Sequence, residues 1–311
     1  MKILFFGRGV IATQYAWALE KAGNQVEFYV RKGRAEQYGT SVTLDILDGR
    51  KNSKGTPVKL NWQITMREEI DPNHDYDLII VSVNHSQFNS AAKTIKPVIG
   101  KATVLIWNNL LQDPQEATSM LPQEQIVWGF PGGGGGFLGN TLKGGFMKTV
   151  MMEAGNSERH NLVRSMFEKA GFKVSVKKDF RSWLWFHFIM NAGMAAVALH
   201  VGGYQVMYNS PQYIKDAFLL MEEMLPFLRA KGGKPGFGER LLLALPGKMT
   251  GFVMKKIMVK GSLARYIMDS LEQSGHSTYE LTSDYPRDVV ADARKLGVSL
   301  PRLEAMESDF S

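Results

Sequence analysis

The sequence predicts an α/β chain in two parts: a doubly wound sheet domain over residues 1–178, then an all-helical domain over residues 179–311. Three observations carry this. A strand, a glycine turn, a helix and a second strand follow one another within the first thirty or so residues, the unit that builds parallel sheets. Continuous apolar runs recur up to residue 130, as expected of strands covered on both faces. From Asp179 onward the pattern changes to long helical stretches with few strand signals.

Taken in order, Lys2–Phe6 reads as the first strand. The turn "GRGVIA" and a helix with apolar positions Ile11, Tyr15, Ala18, Leu19 and Ala22 come next, and "QVEFYVR" follows as the second strand. "YDLIIVSV" (76–83), "ATVLIW" (102–107) and "IVWGF" (126–130) read as further buried strands. Five consecutive glycines begin at Gly132 and are expected to make a tight, flexible turn into a hairpin. "GGFMKTVMME" then alternates as an antiparallel strand. "SERHNLVRSMFEKAG" is predicted as an amphipathic helix capped by Ser157, with Leu162, Val163, Met166 and Phe167 on its apolar side. "FKVSVKKD" closes the sheet domain, and helices are predicted over 180–200, 211–231, 238–259, 262–275 and 277–296.

Composition bounds the function. Of 311 residues, 44% are hydrophobic and 22% charged, the balance of a globular protein. There are no cysteines, which excludes a disulfide framework and thiolate metal sites and fits a reducing cytoplasm. The formal charge of +7 attracts anions generally and does not choose among a phosphorylated cofactor, nucleic acid and membrane. No aromatic-basic motif of a nucleic-acid module is present. The apolar start of the chain lacks the longer core and small-residue cleavage site of a signal peptide. Residues 183–201 approach membrane-span length, but His187, Asn191 and His200 interrupt them, so a buried core helix is expected. The basic stretch 248–265 reads as a solvated lysine face, with a membrane-surface helix as the alternative.

The chemistry begins at the first turn. Gly7, Arg8, Gly9, Val10, Ile11 and Ala12 form a GxGxxA version of the Rossmann dinucleotide fingerprint. Its first glycine allows the tight turn and its second admits the pyrophosphate to backbone N–H groups. The small third residue lets helix meet strand. A glycine turn that binds nothing is the plainer alternative, but the position directly after the first strand favours a cofactor. The second strand ends in "YVRKGR", so Arg31, supported by Lys32 or Arg34, points to the 2′-phosphate of NADP(H). Glu27 is the competing acid, though it falls inside the strand, and a solvated basic turn stays open.

Read in order, "ILFFGRGVIATQYAWALEKAGNQVEFYVRKG", "LIIVSVNHSQF", "VLIWNNL", "WLWFHFIMNAG" and "HSTYELTSDYPRDVVADARKLGVSLP" resemble the ketopantoate reductase (2-dehydropantoate 2-reductase) family over nearly the whole chain. The resemblance implies an amino-terminal Rossmann domain, a helical carboxy-terminal domain and NADPH-dependent reduction of ketopantoate on the way to pantothenate. It implies that Asn108 lies by cofactor and substrate, with Asn109 in place of a glycine, and that Asn84 stands where a cofactor-side lysine is usual. In the helix that opens the second domain, the family's Trp-x-Lys and two asparagines at four-residue spacings become Trp185, His187, Asn191 and Ala195. His187 thus takes the proton donor's place and Asn191 keeps a substrate contact. Glu280 matches an orienting glutamate, while Ile267 and Met268 replace a serine-methionine pair.

A histidine of ordinary pKa suits proton transfer near neutral pH, and a buried, hydrogen-bonded core histidine is the other reading of His187. His276 and Glu280 share a helix face and make no metal site, and no metal is expected. The expectation is therefore an NADP(H) oxidoreductase acting on ketopantoate or a related small 2-oxo acid. Its ligand cleft is expected between the domains, and a homodimer is the expected assembly, with no nucleic-acid or membrane partner. The alternative is a catalytically retired NADP-binding sensor or interaction protein on the same fold.

Overall fold

The computed structural model describes residues 1–243, 257–275 and 279–311, without the side chains of residues 242 and 279–281. It forms two compact units, one of residues 1–108 and 112–178, the other of residues 109–111 and 179–311. The first is a Rossmann-type α/β unit and the second, among its described residues, is helical.

The first unit opens with β1 (Lys2–Phe6), α1 (Val10–Glu20), β2 (Gln25–Tyr29) and α2 (Arg34–Tyr38). A hairpin of β3 (Ser41–Gly49) and β4 (Thr56–Gln63) follows, then β5 (Met66–Arg67), β6 (Leu78–Val81), α3 (Phe88–Ile95), β7 (Thr103–Trp107), α4 (Pro114–Ala117) and β8 (Ile126–Phe130). After β9 (Gly133–Leu138), β10 (Thr141–Met147) and β11 (Thr149–Glu153), α5 (Glu158–Lys169) and β12 (Lys173–Lys177) complete it. The main sheet has the order β12-β11-β8-β7-β6-β1-β2-β5. Its strands from β8 to β5 are parallel, and β11 turns antiparallel against β8. The buried strands β1, β6 and β7 carry the apolar runs that predicted them.

A second sheet, β4-β3-β10-β9, corrects two expectations. The β3–β4 hairpin was not foreseen, although Val42, Leu44 and Ile46 alternate inward as a half-buried strand should. The glycine run is a strand and not a turn. Gly135 and Gly144 face each other across β9 and β10 with φ of 134° and 139°. A Cβ on Gly135 would sit 2.1 Å from the Lys143 carbonyl oxygen. The bare backbone lies against α1, where Gln14 Nε2 donates to the Gly134 carbonyl at 2.9 Å and the Tyr15 hydroxyl bonds the Gly132 backbone. Thus α1 is buried by both sheets, and even Thr13 and Gln14 are fully covered. "GGFMKTVMME" divides at Lys148 into the ends of two strands in different sheets.

Local chemistry accounts for the helices. The Ser157 side chain accepts from the His160 N–H and caps α5, worth about 1 kcal/mol. In the second unit α6 (Phe180–Val201) is capped by Asp179, which accepts from Ser182 N–H, and it ends at Gly202 in the left-handed conformation. The helix is long and apolar enough to cross a membrane, but most of its apolar window is buried, and Phe188, Ile189, Ala192 and Ala196 lie in the core of this unit. The helices α7 (Tyr204–Asn209), α8 (Pro211–Glu223), α9 (Leu225–Ala230), α10 (Phe237–Leu243), α11 (Leu263–Gln273), α12 (Tyr279–Lys295) and α13 (Pro301–Glu304) follow. The single helix predicted over 211–231 is divided at Met224, because Pro226 has no N–H for the Glu222 carbonyl. Residues 244–256 of the helix predicted over 238–259, half of the basic stretch 248–265 and His276 lie outside the described residues.

Candidate functional site

In the first unit the predicted cofactor residues gather at the carboxyl ends of neighbouring parallel strands. The chain leaves β1 through Gly7, whose φ of 95° is the left-handed conformation that favours glycine, and Gly7 N–H bonds the Tyr29 carbonyl at 2.9 Å. Gly9 is the N-cap of α1 and offers no side-chain cap, so the first-turn N–H groups of Val10, Ile11 and Ala12 stay open to an anion. Ala12 is fully buried, the small contact that this position needs.

Successive strands lie on opposite sides of β1, with β2 on one and β6 on the other, which makes this the switch point where such sheets bind ligands. On the β6 side, a Cβ on Gly7 would lie 3.8 Å from the Ser82 carbonyl oxygen, so the two turns touch. Asn84 follows, exposed, at the head of a short 3-10 turn. Asn108 leaves β7 and donates Nδ2 to the Val83 carbonyl at 2.8 Å. Among the described residues its Oδ1 is buried without a partner, an acceptor open to a donor from a ligand. A positive-φ glycine, an uncapped helix start and an orphaned amide oxygen together fit a dinucleotide with a polar head.

Arg8 behaves differently from its backbone. Its guanidinium is held between the rings of Tyr38 and Phe137, 4.7 and 4.5 Å from their centroids, and donates to Asn140 Oδ1 at 2.8 Å. The side chain therefore ties the turn to the β9–β10 hairpin.

The turn after β2 is met by an acid from the end of β5 that the sequence did not reveal. Glu27 is engaged inside the sheet, where burial would raise its pKa but bonds from Arg67 at 2.9 Å and the Tyr76 hydroxyl at 2.7 Å hold it down. Arg31 is exposed and Arg34 partly so. Glu68 accepts from Ala35 N–H at 2.9 Å. The backbone N–H groups of Ala35 and Gly33, then Lys32 and Arg34 N–H, hold its carboxyl below the usual range. Its position forty residues downstream in sequence concealed it.

In the second unit His187 and Asn191 sit one turn apart on α6. The His187 ring stacks on Trp183, with centroids 5.4 Å apart. Burial pushes its pKa down to about 4, so the imidazole is neutral at pH 7. This corrects the expected charge: a histidine of ordinary pKa was assumed, and desolvation against an apolar helix removes the cationic form. Ala195 and Ile267 are buried apolar residues. Glu280 belongs to α12, and its side chain lies outside the described residues.

Residues 109–111 join this unit, and Tyr285 lies on α12. Burial raises the pKa of the Tyr285 phenol. Tyr285 was not singled out from the sequence, where one tyrosine beside a helical proline carries no signal.

The family model of ketopantoate reductase PanE/ApbA matches residues 3–141. No curated protein sequence matches the chain. Among solved structures, 2-dehydropantoate 2-reductase from Geobacter metallireducens GS-15 is similar at 16% identity and a TM-score of 0.71, covering 100% of this chain and 99% of that one. D-mandelate dehydrogenase in a ternary structure with NADH and anilino(oxo)acetate is similar at 14% identity and TM-score 0.71, over 100% and 97% of the two chains. The dimeric ketopantoate reductase of Staphylococcus aureus is similar at 11% identity and TM-score 0.64, over 99% and 97%. The resemblance to the ketopantoate reductase family is thus borne out in sequence over residues 3–141, and the chain shares the fold of these solved structures.

Proposed function

We propose that this protein is an NADPH-dependent reductase that converts ketopantoate or a related small 2-oxo acid to the 2-hydroxy acid. The observation that carries this is the open, glycine-hinged start of α1 at the switch point of the sheet, beside the basic turn after β2. In this reading Gly7 to Ala12 cradle the pyrophosphate through backbone N–H groups. Arg31 and Arg34 meet the 2′-phosphate, and Asn84 and Asn108 contact the nicotinamide side. Bound NADPH supplies the hydride. Asn191 and Glu280 orient the substrate, and neutral His187 acts as a hydrogen-bond donor to it in place of a cation. Residues 1–178 serve as the cofactor domain and 179–311 as the substrate domain. A homodimer in the cytoplasm is the proposed setting, supported by the dimeric relative and the absence of cysteine.

The test is a panel of 2-oxo acids with NADPH and NADH, following loss of the reduced nicotinamide. Turnover favouring NADPH is expected. Tight NADPH binding with no turnover on any acid would instead support a retired NADP-binding protein, a reading favoured by the neutral residue at the family's lysine position. A preference for NADH would assign the cofactor that the mandelate dehydrogenase structure holds.

A further inference from the structure

Helix α2, which begins at Arg34 of the basic turn, has little hold on the protein by itself. It is five residues long, too short to persist in water alone, and none of its residues is fully buried. Ala35 and Tyr38 pack on the core of the first unit, both only partly covered. Two polar ties fix the helix at its ends. Glu68 accepts from Ala35 N–H at the start, and at the end the Tyr38 ring takes the Arg8 guanidinium 4.7 Å from its centroid. Arg8 stands between the two glycines of the turn that opens α1. The Phe137 ring lies 4.5 Å from the same guanidinium, and Asn140 Oδ1 accepts from its Nη2 at 2.8 Å. Asn140 is itself held, its Nδ2 donating to the Ser41 carbonyl at 2.7 Å. Arg8 Nε is buried and makes no hydrogen bond among the described residues. A guanidinium stripped of part of its water in this way is attracted to ring faces more strongly than an exposed one.

We propose that Arg8 is a positioning residue for the adenosine end of the cofactor: through Tyr38 it holds α2, and with it the turn of residues 31–34, in place to meet a 2′-phosphate that Arg8 itself does not touch. The proposal rests on the cofactor assignment in the reading above. Charge alone does not serve this role. The two rings and the Asn140 contact use the planar, forked shape of a guanidinium, which an ammonium lacks. Direct contact of Arg8 with phosphate is the competing role, and its demands are the opposite. It needs the charge, and from the turn that opens α1 it would serve the 5′-phosphate that both nicotinamide cofactors share.

The test titrates the full-length protein by calorimetry with adenosine 2′,5′-bisphosphate and adenosine 5′-monophosphate, the adenosine halves of NADPH and NADH. Both affinities are read on one sample, so a loss of folded protein lowers the number of sites and leaves their ratio unchanged. The wild type is expected to prefer the bisphosphate. Arg8→Lys keeps the charge and loses the fork, whereas Tyr38→Leu leaves the glycine turn as it is. Each is expected to cut the preference by about tenfold, because binding must then order a helix that the clamp had fixed. The double variant should cut it no further, since both changes break one contact. A preference kept by either single variant overturns the proposal, and so do additive losses in the double variant. Equal weakening of both nucleotides in Arg8→Lys also overturns it and assigns Arg8 to the shared phosphate. A wild type that binds both nucleotides equally ends the 2′-phosphate role while the cofactor site stands. If the wild type binds neither nucleotide nor NADPH, the cofactor reading fails and this proposal fails with it.

Discussion

The imidazole of His187 lies on the indole of Trp183, 19° from parallel, one turn apart on α6. Burial keeps the ring neutral, with a pKa of about 4 against an ordinary 6.5. In the unfolded chain the ring regains its ordinary value and binds a proton below pH 6.5, which the folded protein accepts only near pH 4. Stability from this group is therefore complete above pH 6.5 and is lost as pH falls toward 4, by at most about 3 kcal/mol. Urea unfolding at a series of pH values should show this slope, and His187→Gln should flatten it.

Glu68 sets an anion beside Lys32 and the backbone of Gly33, Arg34 and Ala35, in the turn where the proposed 2′-phosphate would meet the protein. Glu68→Gln is expected to tighten NADPH relative to NADH by about fivefold at low salt, with the gain shrinking as salt screens the exposed charges. Fluorescence titrations with both cofactors read the ratio. An unchanged ratio would separate Glu68 from the cofactor.

The glycine strand predicts contrasting costs for the same substitution. Gly135→Ala drives a methyl into the Lys143 carbonyl and is expected to cost more than about 2 kcal/mol. Gly139→Ala, at φ 58° with open space around it, should cost only about 1 kcal/mol. Equal midpoints in denaturant would refute the packing of β9 on β10.

Asp48 and Arg50 form a largely buried pair at the end of β3, with the guanidinium also donating to the Ala170 carbonyl at 2.7 Å. Asp48→Ala strands the cation and should lose about 3 kcal/mol, whereas Asp48→Leu with Arg50→Met should recover most of it. The comparison is made by thermal and urea unfolding of the three proteins.

The sequence by itself determined the parallel half of the main sheet, since strands such as β6 and β7 are covered on both faces and must be apolar throughout. It determined the turn at Gly7 for the same local reason, because one residue there needs a positive φ. The pairing of the long α6 face, with His187 and Asn191 a turn apart, was likewise legible as spacing. Tertiary structure decided what depends on partners distant in sequence. The glycine run became a strand only because α1 and β10 leave no room for side chains. Glu68 reached the turn at Ala35 through a short edge strand. His187 lost its charge to burial that no local pattern reveals, and Arg8 met Tyr38, Phe137 and Asn140 because separate segments converge on one guanidinium. Local conformation is written in neighbouring residues, whereas desolvation and polar convergence are properties of the packed interior.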